Sequence, residues 1–211
     1  MIPVHVLAIR YLDRVDPALA RSLGAPEDYT AFGMLTTDCD DATYIALDTA
    51  TKAAQVQVVY GASFYAGAAN ATTPNAGEVL GILAGRTPGA VRSGMAAALQ
   101  VLAQVGFQDL QGVPCLAWTV SAAGSFLAKE AGVPQGSALA YLIAPPLESV
   151  FGLDAAMKAA GVSLCRLYAP PSPTNFGGGL LSGSQSDCET ACRAFREAVN
   201  SVAQRPQSER I

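Results

Sequence analysis

The segment LDTATKAAQV beginning at Leu47 returns as LDAAMKAAGV beginning at Leu153, with leucine, aspartate, lysine and a pair of alanines in register. Upstream, LGAPEDYTAFGMLTT from Leu23 aligns with AGVPQGSALAYLIAP from Ala131, matching Gly24 to Gly132 and Pro26 to Pro134. Downstream, ILAGRTPGAVRSGMAAAL from Ile82 aligns with LLSGSQSDCETACRAFRE from Leu180 once the preceding loop is shortened in the second copy, a change that surface loops tolerate. An internal repeat of this length limits the chain to two tandem domains of roughly 100 residues. We place them at 1–108 and 109–211. Two like folds in one chain reproduce the neighbour contacts of a homo-oligomer while leaving each position free to diverge, and three such chains would make a pseudo-sixfold ring.

The chain is 51% hydrophobic and only 14% charged, against the roughly 25% charged residues usual in soluble domains, so surface is expected to be hidden in an assembly. A membrane span needs roughly 20 uninterrupted apolar residues, and every apolar run is interrupted by Gly, Pro, Gln or charge. The opening IPVHVLAI reaches Arg10 without a basic leader or a cleavage site, so a cytoplasmic protein is expected. A net charge of −4 without a Lys/Arg cluster leaves no footprint for nucleic acid or an anionic membrane. The five cysteines (Cys39, Cys115, Cys165, Cys188, Cys192) lack paired metal-ligand spacing and read as reduced thiols. Cys188 and Cys192 share a helix face with Phe195, Val199 and Val202, as small buried hydrophobes would.

Periodicity and turn chemistry predict strands near Pro3–Tyr11, Ala31–Thr37, Gln55–Tyr60 and Glu78–Ala84 in the first copy. Between them lie a helix capped by Asp16 and ended by Gly24, another capped by Asp41 and running to about Ala54, and a third from Thr87-Pro88 to near Gly106. The second copy repeats this order, with strands near Pro114–Val120, Ala138–Ala144, Val162–Tyr168 and Gly178–Ser182, and helices near Ala122–Ala131, Leu147–Ala160 and Ser186–Gln204. Each copy is thus a small α/β sandwich. Two connections are long, Gly61–Gly77 and Ala169–Gly179; both mix glycine with aromatic rings (Phe64, Tyr65, Phe176) able to plug an opening.

Few residues suggest chemistry. Asp40 and Asp41 start a helix, where carboxylates ordinarily serve the orphan N–H groups, and Glu78 begins a strand after a flexible loop. Together the three could hold an amine or a hard cation. His5 is the sole histidine and reads as structural, the serines have no acid–base partner, and neither glycine-rich stretch completes a nucleotide-binding motif. No motif specifies an enzyme and no cofactor is expected. A soluble small-molecule-binding regulatory trimer, and a metal-dependent hydrolase built on the three acids, are the alternatives to an assembly protein.

DDATYIALDTATKAAQVQVVYGASFYAGAAN, NAGEVL, AYLIAPPLESVFGLDAAMKAAGV, PPSPTN and GSQSDCETAC together closely resemble the tandem-domain shell proteins of the ethanolamine-utilisation bacterial microcompartment. The resemblance covers nearly the whole chain. It implies two circularly permuted microcompartment domains, each a small antiparallel sheet with helices. It further implies a homotrimer forming a flat pseudohexamer, edge-to-edge partners among other shell proteins, and no enzymatic activity. It also implies a small pore straddling the two domains, lined by Asp40, Asp41, Glu78, Phe107, Ser182 and Ser184, that takes a small polar metabolite such as a protonated amino alcohol. A larger axial pore would be gated by the loop carrying Gly61, Phe64, Tyr65, Gly67 and Gly77. Ser182 stands where that family leads one to expect threonine, and the linker QVGFQDLQGVP is shorter than the family's.

Overall fold

In a computed structural model, the structure describes residues 1–64, 75, 77–170 and 172–207. The chain separates into two compact units: a first formed by Pro3–Val105 with Gly124–Leu127, and a second formed by Met1–Ile2, Gly106–Ala123 and Ala128–Ile211.

The first unit contains β1 (Val6–Leu12), α1 (Pro17–Ser22), β2 (Ala31–Thr37), α2 (Asp40–Ala53), β3 (Val56–Ser63), β4 (Val79–Gly85) and α3 (Pro88–Leu102). Its strands form an antiparallel sheet in the order β1-β2-β4-β3. The chain continues with β5 (Gln108–Leu110), β6 (Val113–Val120), α4 (Ser125–Ala131), β7 (Ala138–Ala144), α5 (Pro146–Ala159), β8 (Ser163–Tyr168), β9 (Gly177–Gly183) and α6 (Gln185–Gln204). The second sheet, also antiparallel, runs β5-β6-β7-β9-β8, the order of the first with one strand added at the edge.

The duplication reaches single residues. The register slips between Val58 and Tyr60 in β3 and between Leu164 and Arg166 in β8, positions that the repeat aligns. A bulge tightens local twist and re-aims the strand, and this one occurs in both copies. The central strands carry long apolar runs because helices cover one face of each sheet, and β7 is buried from end to end.

α3 obeys the helix-start rules: Thr87 caps it by accepting the Ala90 N–H at 3.1 Å, and Pro88 occupies the first turn. It buries Val91, Gly94, Met95, Ala98 and Leu102, a stripe at helical spacing, and a Cβ at Gly94 would sit 3.0 Å from the Val56 side chain. The small residues of GMAAAL therefore serve close packing. In the second unit Cys188, Cys192, Phe195 and Val199 of α6 join Cys115, Leu153 and Ala156 in the core, and all five cysteines are free thiols. Each large side chain buried in this way contributes about 1.5–3 kcal/mol.

Several boundaries move. α2 begins one residue before the expected cap, so Asp40 and Asp41 are its first two residues and Cys39 is the N-cap, with no side-chain bond. Thr37 and Thr43 hold the cap residue itself, the Thr37 hydroxyl accepting the Cys39 N–H at 3.1 Å and both hydroxyls donating to the Cys39 carbonyl at 2.9 Å, while the Asp40 carboxylate accepts the first-turn Asp41 N–H at 2.8 Å. β3 extends through Ser63, which puts Gly61 inside a strand. α4 starts at Ser125, three residues later than expected, and α6 is capped by Ser184, earlier than expected. β5 had no counterpart in the sequence reading. No helix among the described residues is long and apolar enough to cross a membrane.

Candidate ligand site

The start of α2, the end of β3 and the start of β4 meet because β3 and β4 pair through Ser63 and Val79 and β2 pairs with β4 through Thr37 and Val79. Two hydrogen bonds fix Glu78: its N–H donates to the Thr37 carbonyl at 2.8 Å, and its carbonyl accepts the Phe64 N–H at 2.9 Å. Gly77 is buried, and a Cβ there would run into the Thr37 carbonyl and the Thr36 hydroxyl, so only glycine lets the chain enter β4 this way. Gly61 and Phe64 lie on the other side of the same connection, while Tyr65 and Gly67 fall outside the described residues.

The three acids singled out from sequence are brought together within the first unit. Asp40 and Asp41 are each 7% exposed, and Glu78 is half-buried. Burial, opposed by hydrogen bonds from the Ser63 hydroxyl and the Asp41 N–H, leaves the Asp40 carboxyl above its ordinary range. Glu78 is pushed up to about 7, first by burial and then by the carboxylates of Asp40 and Asp38. Near neutral pH Glu78 thus sits on a protonation boundary.

Two residues complete the surroundings: Tyr44, which the sequence reading passed over, and His5, which it took as structural. Tyr44, one turn along α2 from Asp40, holds its hydroxyl 2.5 Å from that of Ser63, and burial pushes its ionisation up to about 12, so it stays a neutral donor. The signal was available: Tyr44 is at i+4 from Asp40, on the same helical face. His5 sits just before β1, largely exposed, with Nδ1 2.6 Å from Asp38 Oδ2, and so orients a fourth acid next to the cluster. Among the described residues no set of three His, Cys, Asp or Glu groups is arranged to hold a metal ion.

The other expected residues belong to the second unit. Phe107 packs on Phe176 with the rings tilted and their centroids 5.3 Å apart, and its carbonyl accepts the Ile2 N–H. The Ser182 hydroxyl donates to the Ala138 carbonyl at 3.0 Å. Ser184 caps α6 by accepting the Asp187 N–H at 3.1 Å, and it donates to the Asp187 carboxylate, whose pKa falls below the usual range chiefly through that bond.

The microcompartment (BMC) domain model matches residues 31–110. The bacterial microcompartment shell protein EutL of Clostridium perfringens is 51% identical over 98% of this chain and 97% of its own length. The chain belongs to the EutL family of microcompartment shell proteins. The EutL fold extends to solved structures: the ethanolamine utilization protein EutL of Leptotrichia buccalis superposes with a TM-score of 0.95 at 52% identity, covering 99% of this chain and 98% of that one. The trimeric shell protein PduB superposes at 0.76 with 20% identity over 96% of this chain and 91% of its own, a likeness of fold alone. The two antiparallel sheets with their covering helices are thus the tandem BMC fold, and the role common to EutL proteins is to build a microcompartment shell.

Proposed function

We propose that this chain is a non-catalytic shell subunit that assembles as a homotrimer, meets other shell proteins edge to edge, and passes or senses a small protonated amine such as ethanolamine. The convergence of Asp40, Asp41 and Glu78 beside the Tyr44 and Ser63 hydroxyls carries this reading. Carboxylates attract an ammonium, and neighbouring hydroxyls can bond the alcohol oxygen that an amino alcohol carries two carbons away. Binding is expected to be weak, because a pore must release what it attracts. The connection anchored by Phe64 and Gly77 is the proposed gate of the axial opening. Substitution of Phe107, Ser182 and Ser184 tests whether the second unit contributes to the same lining.

An ammonium held by these acids favours the ionised form of Glu78, so uptake at pH 6 releases a proton, whereas uptake at pH 8.5 does not. Titration calorimetry with ethanolamine in buffers of different ionisation enthalpy measures that proton directly. A D40N/E78Q variant should lose binding by at least about tenfold, the loss of one charge-assisted contact, while remaining the same size by light scattering. Undiminished binding would refute the assignment of the acids.

A further inference from the structure

The aspartates outside the cluster differ in what they serve. Asp48 is structural: it is completely buried, its carboxylate accepts the N–H groups of Gly124 and Leu127, both at 2.8 Å, and it lies 3.3 Å from the Lys52 ammonium. On the same helix the Tyr44 ring lies 5.8 Å from that of Phe126. The repeat counterpart of Asp48, Asp154, is exposed and pairs with Lys158 at 2.7 Å. Asp38 is of neither kind. Its side chain is 40% exposed, yet one residue holds both of its oxygens: Oδ1 accepts the His5 N–H at 2.7 Å, and Oδ2 lies 2.6 Å from His5 Nδ1. An ionised carboxylate only accepts, so Nδ1 carries the proton of that bond.

Three strand ends bring this pair to Glu78. β1 pairs with β2 through Val6 and Thr37, and β2 with β4 through Thr37 and Val79; His5, Asp38 and Glu78 are the next residues outward on the three chains. The Asp38 N–H donates to the His5 carbonyl at 3.3 Å and the Glu78 N–H to the Thr37 carbonyl at 2.8 Å, so backbone bonds fix the row on both sides of β2. Like charges on neighbouring strands repel, and Asp38 is one of the two carboxylates that oppose ionisation of Glu78. The start of α2 sets the carboxylates of Asp40 and Asp41 and the neutral Cys39 and Tyr44 around it, β3 adds the Ser63 hydroxyl, and β1 adds His5, the basic member of the group. The corresponding places in the second unit hold Pro114, Pro145 and Phe176, none of which ionises.

We propose that His5 is a positioning residue of the amine site: by holding Asp38 at the end of β1 it limits how strongly that carboxylate acts on Glu78, and so sets the pH range over which the site keeps an amine. Its two bonds draw the Asp38 carboxylate to the β1 side of β2, whereas Glu78 lies on the β4 side. They also offset part of its negative charge. Without the imidazole, Asp38 is free to turn toward Glu78, whose proton is then held to higher pH. Proton and ammonium compete for the same carboxylate, so the site would empty earlier as pH falls.

The proposal rests on the amine reading and is tested apart from it. For a carboxyl that loses its proton at about 7, the dissociation constant for ethanolamine by calorimetry should be about tenfold larger at pH 6 than at pH 8.5. H5A should raise that ratio to about thirtyfold and D38N should lower it to about fourfold, each a shift of about half a pH unit in the midpoint. H5N, whose amide still donates to Asp38, should stay near the parent ratio, and H5A should change nothing in a D38N background. A parent ratio in H5A, or the same change with and without the Asp38 carboxylate, would overturn the proposal. A parent chain that binds no ethanolamine at any pH would overturn the amine reading instead. The Glu78 midpoint, followed without ligand by carbon-13 NMR of glutamate carboxyls and assigned with E78Q, would then decide the coupling to His5 by the same half-unit shift. Both positions are exposed, so circular dichroism should be unchanged in all variants.

Discussion

α2 and α5 share a sequence word, a place in their units and a set of core contacts, yet their surroundings differ. Both bury the stripe facing the sheet: Thr43, Ala46, Leu47 and Ala50 in one, Ser149, Gly152, Leu153 and Ala156 in the other. Beyond that stripe, α2 also buries Asp40, Asp41, Ile45 and Asp48, whereas α5 exposes Phe151 and Asp154 at matching places. At the helix starts Asp40 and Asp41 face Pro146 and Leu147 in the alignment, and Glu78 faces Phe176. The copied residues carry the fold, and what packs against them decides their chemistry. The acid cluster is confined to one copy because the other was free to replace it with proline and aromatic groups.

Substituting the repeated aspartate tests this comparison most severely. Asp48→Asn keeps the size of the side chain but offers one acceptor where two N–H groups and an ammonium need a charge, and it should destabilise the chain by about 2–4 kcal/mol. Asp154→Asn, at an exposed pair with Lys158, should change unfolding by no more than about 1 kcal/mol. Urea unfolding midpoints give both values. Equal losses would mean that the two aspartates share an environment after all.

A smaller effect separates Glu78 from its aromatic counterpart. Its folded pKa of about 7 lies above the ordinary 4.5 of a free glutamate, so the folded chain binds the extra proton between those values and stability falls as pH rises through that window. Because the group is half-exposed, water screens much of the effect, leaving about 1 kcal/mol. Glu78→Gln should therefore match the unmodified chain near pH 4.5 and exceed it by about 2–4 °C in thermal midpoint at pH 8. A parallel pH profile in the two proteins would show that Glu78 titrates normally.

The same contrast explains how far the sequence could be read. β2 and β7 fall within the expected limits because unbroken apolar runs bounded by turns identify buried strands. Asp40, Asp41 and Glu78 could be named as candidates from a helix start and a strand start, but it was the family resemblance that put them on one lining, because their convergence depends on the pairing of β4 with both β2 and β3. The role of Asp48 was not, since its partners lie 76 and 79 residues away and Asp-x-x-x-Lys reads as an ordinary exposed helix pair. β5 escaped because it has three residues and its hairpin turn places Gln111 at φ 57°, a conformation for which glutamine gives no hint; the following Gly112, at φ 88°, was the available signal.

The mildest change asks whether the carboxylates or the hydroxyls distinguish the two copies. Tyr44 occupies the place of Val150, and its hydroxyl reaches Ser63, which in turn bonds Asp40. Tyr44→Phe keeps the ring against Phe126 and leaves Ser63 its bond to Asp40, so it should cost about 0.5–1 kcal/mol of stability, the net worth of one neutral hydrogen bond. Ethanolamine affinity by calorimetry should fall less than about threefold, because the attraction for ammonium resides in the carboxylates. A loss as large as that of the D40N/E78Q variant would shift the recognition to the hydroxyl pair, and the divergence between the copies would then lie in Tyr44 against Val150 as much as in the acids.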